Sequence, residues 1–228
     1  ALRRLGTAER RRVSGWYFPS KMQALGVTVP DLRGVSRSLR ASLKKADPKE
    51  VIALAKQLIA TEIFEARAVA YELLDRRADV WRALGAKGIE AMGKGNDNWG
   101  SVDHYGTIVA GPAWREGVIA DTDVIRWARS RDRWWRRTAL VATVALNKKA
   151  RGGAGDPKRT LAICELLVDD RDDMVVKAMS WALRSLGERD APTTKRWIDE
   201  HEPRLAKRVL REVRTKLTTG RKTSRHLR

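Results

Sequence analysis

The chain has 228 residues, 43% of them apolar and 33% charged, and its 47 Lys and Arg outnumber 28 Asp and Glu for a formal net charge of +19. This length suits one large domain or two small ones with a real core. No apolar run approaches the ~20 residues of a membrane span, and the lone cysteine, Cys164, excludes an internal disulfide framework. The opening residues, Ala1 to Gly6, are basic and lack the apolar stretch of a signal peptide, so the expected location is a reducing cytoplasm.

Lys and Arg are spread along the whole length rather than gathered in one block. That distribution favours a long surface tracking a nucleic-acid backbone over a membrane-binding helix. No stretch reads as a strand. Residues 1–30 form an N-terminal helical cap in which Gly15-Trp16-Tyr17-Phe18-Pro19 is expected to break two helices. Residues 26–31 read as a connector, with Asp31 capping a helix to about Lys44. Asp47-Pro48 opens the next, to about Ile59. Helices follow over 64–77 and 80–92, and then a break at 93–97. The next helix runs from Asn98 to about Ala110, where Gly111-Pro112 is expected to stop it. The remaining helices are placed at 121–130, 132–150, 157–168, 172–186, 190–201 and 204–218. Many open with Asp, which caps amides and suits the positive end of the dipole.

The helices come in pairs, and the second members share a signature. A basic residue precedes a small, apolar helical stripe at Arg67, Arg137, Lys177 and Lys207, and Asp103 falls in the same series. The intervals are 36, 34, 40 and 30 residues. Two helices per irregular unit of this size mark an all-α fold, an α-solenoid of HEAT-like repeats with the second helices lining a concave basic face. The expectation is a single repeat domain over 1–217 and a basic tail over 218–228. The four cations would draw a positive stripe, and Asp103 would stand in its middle. An acid there weakens DNA binding but serves an enzyme that handles a cation.

Trp99 lies four residues before Asp103, so on a helix the two share a face, about 5–6 Å apart at Cβ. Of nine tryptophans, Trp81, Trp127 and Trp197 sit in apolar stripes and read as core. Trp99 stands at a polar helix start, and Trp181 lies one turn after Lys177. Two indoles and one carboxylate suit a cation. Purines alkylated at N3 or N7 carry such a charge, and the base leaves as a neutral molecule. Glycoside hydrolysis normally needs a second carboxyl group to protonate the leaving group; a cationic base does not. One carboxylate then suffices to stabilise the sugar cation or to orient water.

Trp99-Gly-Ser-Val-Asp103, Trp135-Arg136-Arg137-Thr138-Ala139-Leu140 and Lys177-Ala178-Met179-Ser180-Trp181-Ala182-Leu183-Arg184 carry a resemblance. From about Trp16 to about Leu217 the chain resembles the AlkD-type DNA alkylation-repair family of HEAT-like glycosylases. The resemblance implies excision of 3-alkyladenine and 7-alkylguanine from duplex DNA in base excision repair, without base flipping and without a cofactor, by a monomer. It implies Asp103 as the catalytic aspartate and Trp99 and Trp181 as contacts to the lesion's sugar. It also implies Arg137 on phosphate and Tyr17 as the N-terminal aromatic. Arg136, Lys177, Arg184, Lys207 and Arg208 complete the expected DNA grip. The sequence departs from the family at Asn98, where a second Trp is usual, at Gly100, usually acidic, and at His104 and Tyr105, where a bulky apolar residue is common. The alternatives are a self-resistance glycosylase for bulky adducts, a non-catalytic HEAT-like DNA-binding paralogue and a protein-binding scaffold.

His104, His201 and His226 lack partners at ligand spacing, so no metal site is expected. Consecutive helical residues do not face each other, so His104 reads as an edge residue rather than Asp103's base. Cys164 lies in an apolar helical run and reads as core. Residues 151–159 are glycine-rich but match no phosphate-loop pattern and read as a flexible connector. Residues 221–225 read as part of the basic tail.

Overall fold

A computed structural model describes residues 1–223. Among them there is no strand; the one β-type contact is an isolated parallel bridge between Gln23 and Ile63. The chain folds into two compact units, the first Ala1–Ile119 and the second from Ala120 on.

The first unit holds α1 (Leu2–Leu5), α2 (Ala8–Tyr17), α3 (Val29–Ser42), α4 (Pro48–Ala60), α5 (Phe64–Leu74), α6 (Ala78–Gly93), α7 (Trp99–Tyr105), a π-helical turn (Gly106–Ala110) and α8 (Gly111–Arg115). The core forms where α5 packs against α3, α4, α7 and the π turn. Nine of the eleven residues of α5 are buried. The second unit holds α9 (Asp121–Ala128), α10 (Arg133–Asn147), α11 (Pro157–Leu166), α12 (Asp173–Gly187), α13 (Ala191–Glu200) and α14 (Lys207–Thr219). Here the repeat is plain: α10, α12 and α14 pack in succession as one layer, α9, α11 and α13 form the other, and each first helix packs on its own second. The fold is thus all-α, built of HEAT-like helical pairs.

Apolar periodicity drives the stacking. On α12, Val175, Ala178, Met179, Ala182, Leu183 and Leu186 are buried at helical spacing. Burying a valine, methionine or leucine fully contributes about 1.5–3 kcal/mol, and an alanine methyl correspondingly less. Aspartates begin the helices as expected: Asp47, Asp132, Asp156, Asp172 and Asp190 each accept a backbone N–H of the first turn. Trp81, Trp127 and Trp197 are core residues, as is Cys164, whose thiol is pushed up by burial.

Several boundaries differ from the sequence reading. The aromatic segment does not split two helices. Gly15, Trp16 and Tyr17 are the last residues of α2, and an irregular stretch follows to Thr28. Thr28, not Asp31, caps α3: its Oγ1 accepts from the Asp31 N–H at 3.1 Å, and Asp31 occupies the first turn. The helix over 64–77 stops at Leu74, where Arg76 adopts a left-handed φ of 58°. Gly111-Pro112 does not stop the key helix. The Gly111 N–H bonds back to the Gly106 carbonyl, a π-type bond, and this wider turn delivers Pro112 to the start of α8, where its missing N–H costs little.

The glycine-rich segment is tied down rather than loose. Gly155 N–H donates to the Leu146 carbonyl at 3.0 Å, and Arg189 donates to the carbonyls of Asn147 at 2.7 Å and Gly153 at 2.9 Å. A Cβ on Gly153 would lie 2.5 Å from the Leu146 carbonyl, so the backbone approach there requires glycine. The expected tail from 218 begins later, because α14 runs to Thr219 and Gly220 closes it at φ 72°. Residues 224–228, including Ser224, Arg225 and His226, lie outside the described residues.

Asp172 accepts the N–H groups of both Met174 and Val175 at the start of α12. Asp172→Ala is expected to lower stability by about 1 kcal/mol, read as a lower urea midpoint at unchanged slope. An unmoved midpoint would mean that the cap contributes nothing.

Candidate active site and nucleic-acid interface

Tyr17, Trp99 and Asp103 lie in the first unit. Arg136, Arg137, Lys177, Trp181, Arg184, Lys207 and Arg208 lie in the second.

In the first unit the start of α7 is held from three sides. Asn98 is 1% exposed and has extended backbone. Its Oδ1 accepts from the Ser101 N–H at 2.9 Å, which caps the helix. Its Nδ2 donates to Ser20 Oγ at 3.3 Å. Neighbouring Asp97 accepts from the Ser20 hydroxyl at 2.5 Å and the Lys21 N–H at 2.6 Å. These bonds staple the stretch after α2 to the helix that carries Trp99. From α5, Arg67 donates to the Lys94 carbonyl at 2.7 Å and to Asn96 Oδ1 at 3.2 Å. The Tyr71 hydroxyl donates to the Met92 carbonyl at 3.0 Å and also meets Asn96 Oδ1. Burial pushes the Tyr71 phenol up, against the opposing pull of Arg67.

Trp99 is the first residue of α7 and joins a cluster of rings. Tyr17 meets it edge-on at 5.2 Å between centroids, and Phe18 lies tilted at 4.5 Å. Phe18 in turn stacks on Phe64 at 5.2 Å. Such pairs are worth about 0.5–1.5 kcal/mol beyond area burial. Gly100 now has a physical reason: a Cβ there would lie 2.7 Å from Phe18 Cε1. The small residue admits the phenyl ring that backs Trp99.

Asp103 stands one turn after Trp99. Both are partly exposed, while Ser101, Val102 and Tyr105 turn into the core. Thr107 Oγ1 donates to the Asp103 carbonyl at 2.7 Å, and the π turn begins three residues on. π turns interrupt helices often at functional positions. His104 faces away from this role. Its Nε2 lies 2.9 Å from Glu72 Oε1 on α5, and Glu72 also faces Arg40 at 3.7 Å. His104 therefore ties α7 to α5. Among the described residues, no group of His, Cys, Asp and Glu could hold a metal.

In the second unit three expected phosphate-binding residues converge on one acid. Lys177 Nζ lies 2.6 Å from Asp173 Oδ2, and Arg208 Nη1 lies 2.9 Å from Asp173 Oδ1. Hydrogen bonding from Lys177, with the charges of Lys177, Arg208 and Arg137, outweighs desolvation and holds the Asp173 carboxyl below the usual range. Arg137 donates to the Met174 carbonyl at 2.5 Å. Trp181 is partly exposed on the same helix, and Lys207 is exposed at the start of α14. A polar network joins α12 to α14. Ser180 Oγ donates to Glu212 at 2.7 Å and accepts from Arg184 Nε at 3.2 Å, and Arg208 Nε donates to Glu212 at 3.2 Å. Arg136 is engaged elsewhere, with Asp170 at 2.7 Å and the Ser130 carbonyl at 3.0 Å.

The repeat register therefore joins residues of unlike surroundings. Arg67 and Arg137 are each only 5% exposed, whereas Lys177 is half-exposed and Lys207 exposed. Arg67 is buried and turns its Nη1 to the turn before α7, so it is no member of an open cationic stripe. Sequence reasoning passed over Phe18, Glu72, Asp173 and Glu212: Glu72 meets His104 32 residues away and Phe18 meets Trp99 on another helix, whereas Asp173 and Glu212 each also pair four residues along their own helix, with Lys177 and Arg208. The adjacency of Phe18 to Tyr17 and the four-residue spacing of these two charge pairs were the available sequence signals.

Gly100→Ala forces the Phe18 ring to move and is expected to destabilise the protein by about 1–3 kcal/mol, measured as a lower melting temperature. An unchanged value would mean that the ring cluster yields freely. Glu212 gives a pH test. Burial alone would raise its carboxyl, but Ser180, Lys222, Arg208 and Arg184 together hold it below the usual range. The unfolded chain then binds that proton more readily, so the contribution is full above about pH 4.3 and fades as pH falls through the depressed value. Glu212→Gln should shrink the loss of urea midpoint between about pH 6 and pH 3; an unchanged loss would refute this role.

The comparisons with known proteins agree with this fold. No curated protein matches the chain. Among solved structures, a predicted DNA alkylation repair enzyme from Enterococcus faecalis superposes with a TM-score of 0.71 at 16% identity, over 94% of this chain and 97% of that one. At that identity the likeness concerns the fold. A family model described as DNA alkylation repair enzyme matches residues 1–217, and the chain belongs to that family.

Proposed function

We propose that this protein is a DNA N-glycosylase that releases cationic N3- and N7-alkylated purines from duplex DNA. The observation that carries this reading is Asp103, a partly exposed carboxylate one turn from an indole on a helix start held from three sides, in a chain of net charge +19. A binding protein gains nothing from an acid there. A developing sugar cation is stabilised by it, and a fixed carboxylate loses little in reorganisation as charge forms.

In the proposed reaction the alkylated base departs with the electrons of its glycosidic bond and becomes neutral. Asp103 stabilises the sugar cation and orients a water, whose proton it accepts. The Trp99 face packs on the nucleotide and attracts positive charge. Lys177, Arg137, Arg208, Arg184, Lys207 and Arg136 are assigned to backbone phosphate and Trp181 to the sugar of the damaged nucleotide. The product is an abasic site, left uncut, and the protein acts as a monomer with no cofactor in the cytoplasm. Support comes from the family membership and from the cations that gather around Asp173.

Asp103→Asn keeps the shape and removes the charge. It is expected to lower release of 7-methylguanine from methylated duplex DNA by about 10²–10⁴-fold while leaving DNA affinity equal or higher. A mutant that keeps its rate would overturn the role of Asp103. A wild type that releases no base while binding DNA would favour the non-catalytic reading.

A further inference from the structure

Helix α2 is an anomaly in a folded protein. None of its ten residues is buried. Helices of this length owe their stability mainly to packing of an apolar face, yet the apolar face of α2 lies in water. Val13, Trp16 and Tyr17 are spaced three and four apart, so they share one side of the helix. Their exposures are 56%, 81% and 53%. An indole can bury 150–250 Å², and that of Trp16 leaves most of its surface uncovered. Beside this face run Arg10, Arg11 and Arg12, all exposed, with Glu9 the one acid of the helix.

The position of the helix is defined despite this exposure. Thr7 caps it, the Arg11 N–H returns to the Thr7 carbonyl at 3.0 Å, and the Thr7 N–H donates to the Gly26 carbonyl at 3.3 Å. At its C-terminal end, Tyr17 touches both Phe18 and Trp99. Trp16 is therefore an exposed ring joined through its neighbour to the aromatic cluster of the candidate site. Cations beside an uncovered aromatic face make a surface for a single nucleic-acid strand: the ring takes a base, which has a π-face whatever its identity, and the guanidinium groups take phosphates.

We propose that the α2 face is a base-stacking platform, on which Trp16 receives an unpaired nucleobase of the DNA while Arg10, Arg11 and Arg12 hold the adjoining phosphates. This rests on the reading of the Trp99–Asp103 face as the reaction site. The unpaired base is the one left without a stacked, paired partner once damage weakens the duplex. A basic helix with an exposed Trp also suits an anionic bilayer surface. The contact between Tyr17 and Trp99 favours DNA, because it places the platform beside the ring proposed to face the nucleotide.

The test uses the full chain and a duplex in which 2-aminopurine, a fluorescent base quenched by stacking, stands opposite a tetrahydrofuran abasic analogue. Wild type is expected to quench it on binding. Trp16→Ala should abolish most of the quenching and weaken affinity for this duplex about tenfold, with affinity for fully paired duplex unchanged; Trp16→Phe should keep part of the quenching. Because the Trp16 side chain is largely uncovered, the substitution removes little packing, and an unchanged melting temperature verifies the fold. Replacing Arg10, Arg11 and Arg12 together by Ala should reduce the salt slope of binding by about 2–3. Equal quenching by wild type and Trp16→Ala would overturn the proposal. So would loss of binding to phosphatidylglycerol vesicles by Trp16→Ala with DNA quenching intact. Base release by wild type is scored separately on methylated duplex: its absence sinks the glycosylase reading, while the quenching result judges the platform.

Discussion

The cap that Asn98 places on α7 is the interaction on which the first unit's site depends. A helix start leaves four leading amides without intrahelical partners, and the Asn98 side chain satisfies one of them, that of Ser101, in a seven-residue helix that has little stability of its own. Asn98 is nearly inaccessible, and its side chain serves two ends at once. One end satisfies Ser101, and the other reaches Ser20 beyond α2. A large apolar side chain at this position could make neither bond.

The joint at Asn98 orders the residues around it. With Asn98 turned inward, Phe18 lies against Gly100 and backs Trp99. Arg67 and Tyr71 hold the turn over 94–96 that follows α6, although it has no regular structure. His104, next in sequence to Asp103, spends its ring on Glu72. The result is a rigid support under two partly exposed side chains. Such support is what electrostatic catalysis requires, because a charge that must reorganise during reaction gives back much of what it stabilises.

The second unit solves a different problem, that of gathering like charges. Lys177, Arg208 and Arg137 would repel one another, and Asp173 between them offsets that repulsion. Two of these pairs are partly exposed, so each contributes little to stability by itself. Their effect is orientation: the acid holds the cations in place on one side of the helix pair. Glu212 does the same for Arg208 and Arg184 from a buried position, at the desolvation cost that its hydrogen bonds must meet.

By itself the sequence determined the helical class, the pairing of helices and most starting points. Each follows from local patterns: aspartate caps, the spacing of apolar residues and the interval between Arg67, Asp103, Arg137, Lys177 and Lys207. It also determined the Trp99–Asp103 pair, since residues four apart on one helix must be neighbours. Where it misled, a bond that the local rule does not count had overruled it. Gly111-Pro112 would stop an ordinary α-helix, but a π turn carried the chain through. Arg67 and Lys207 share a register, but only tertiary packing decided that one is buried under a loop and the other exposed. Periodicity specifies which face a residue occupies, not what else will press against that face. Only the folded chain could show that Phe18 fills the space beside Gly100, that Asp173 collects three cations, and that Trp16 stands uncovered beside the candidate site.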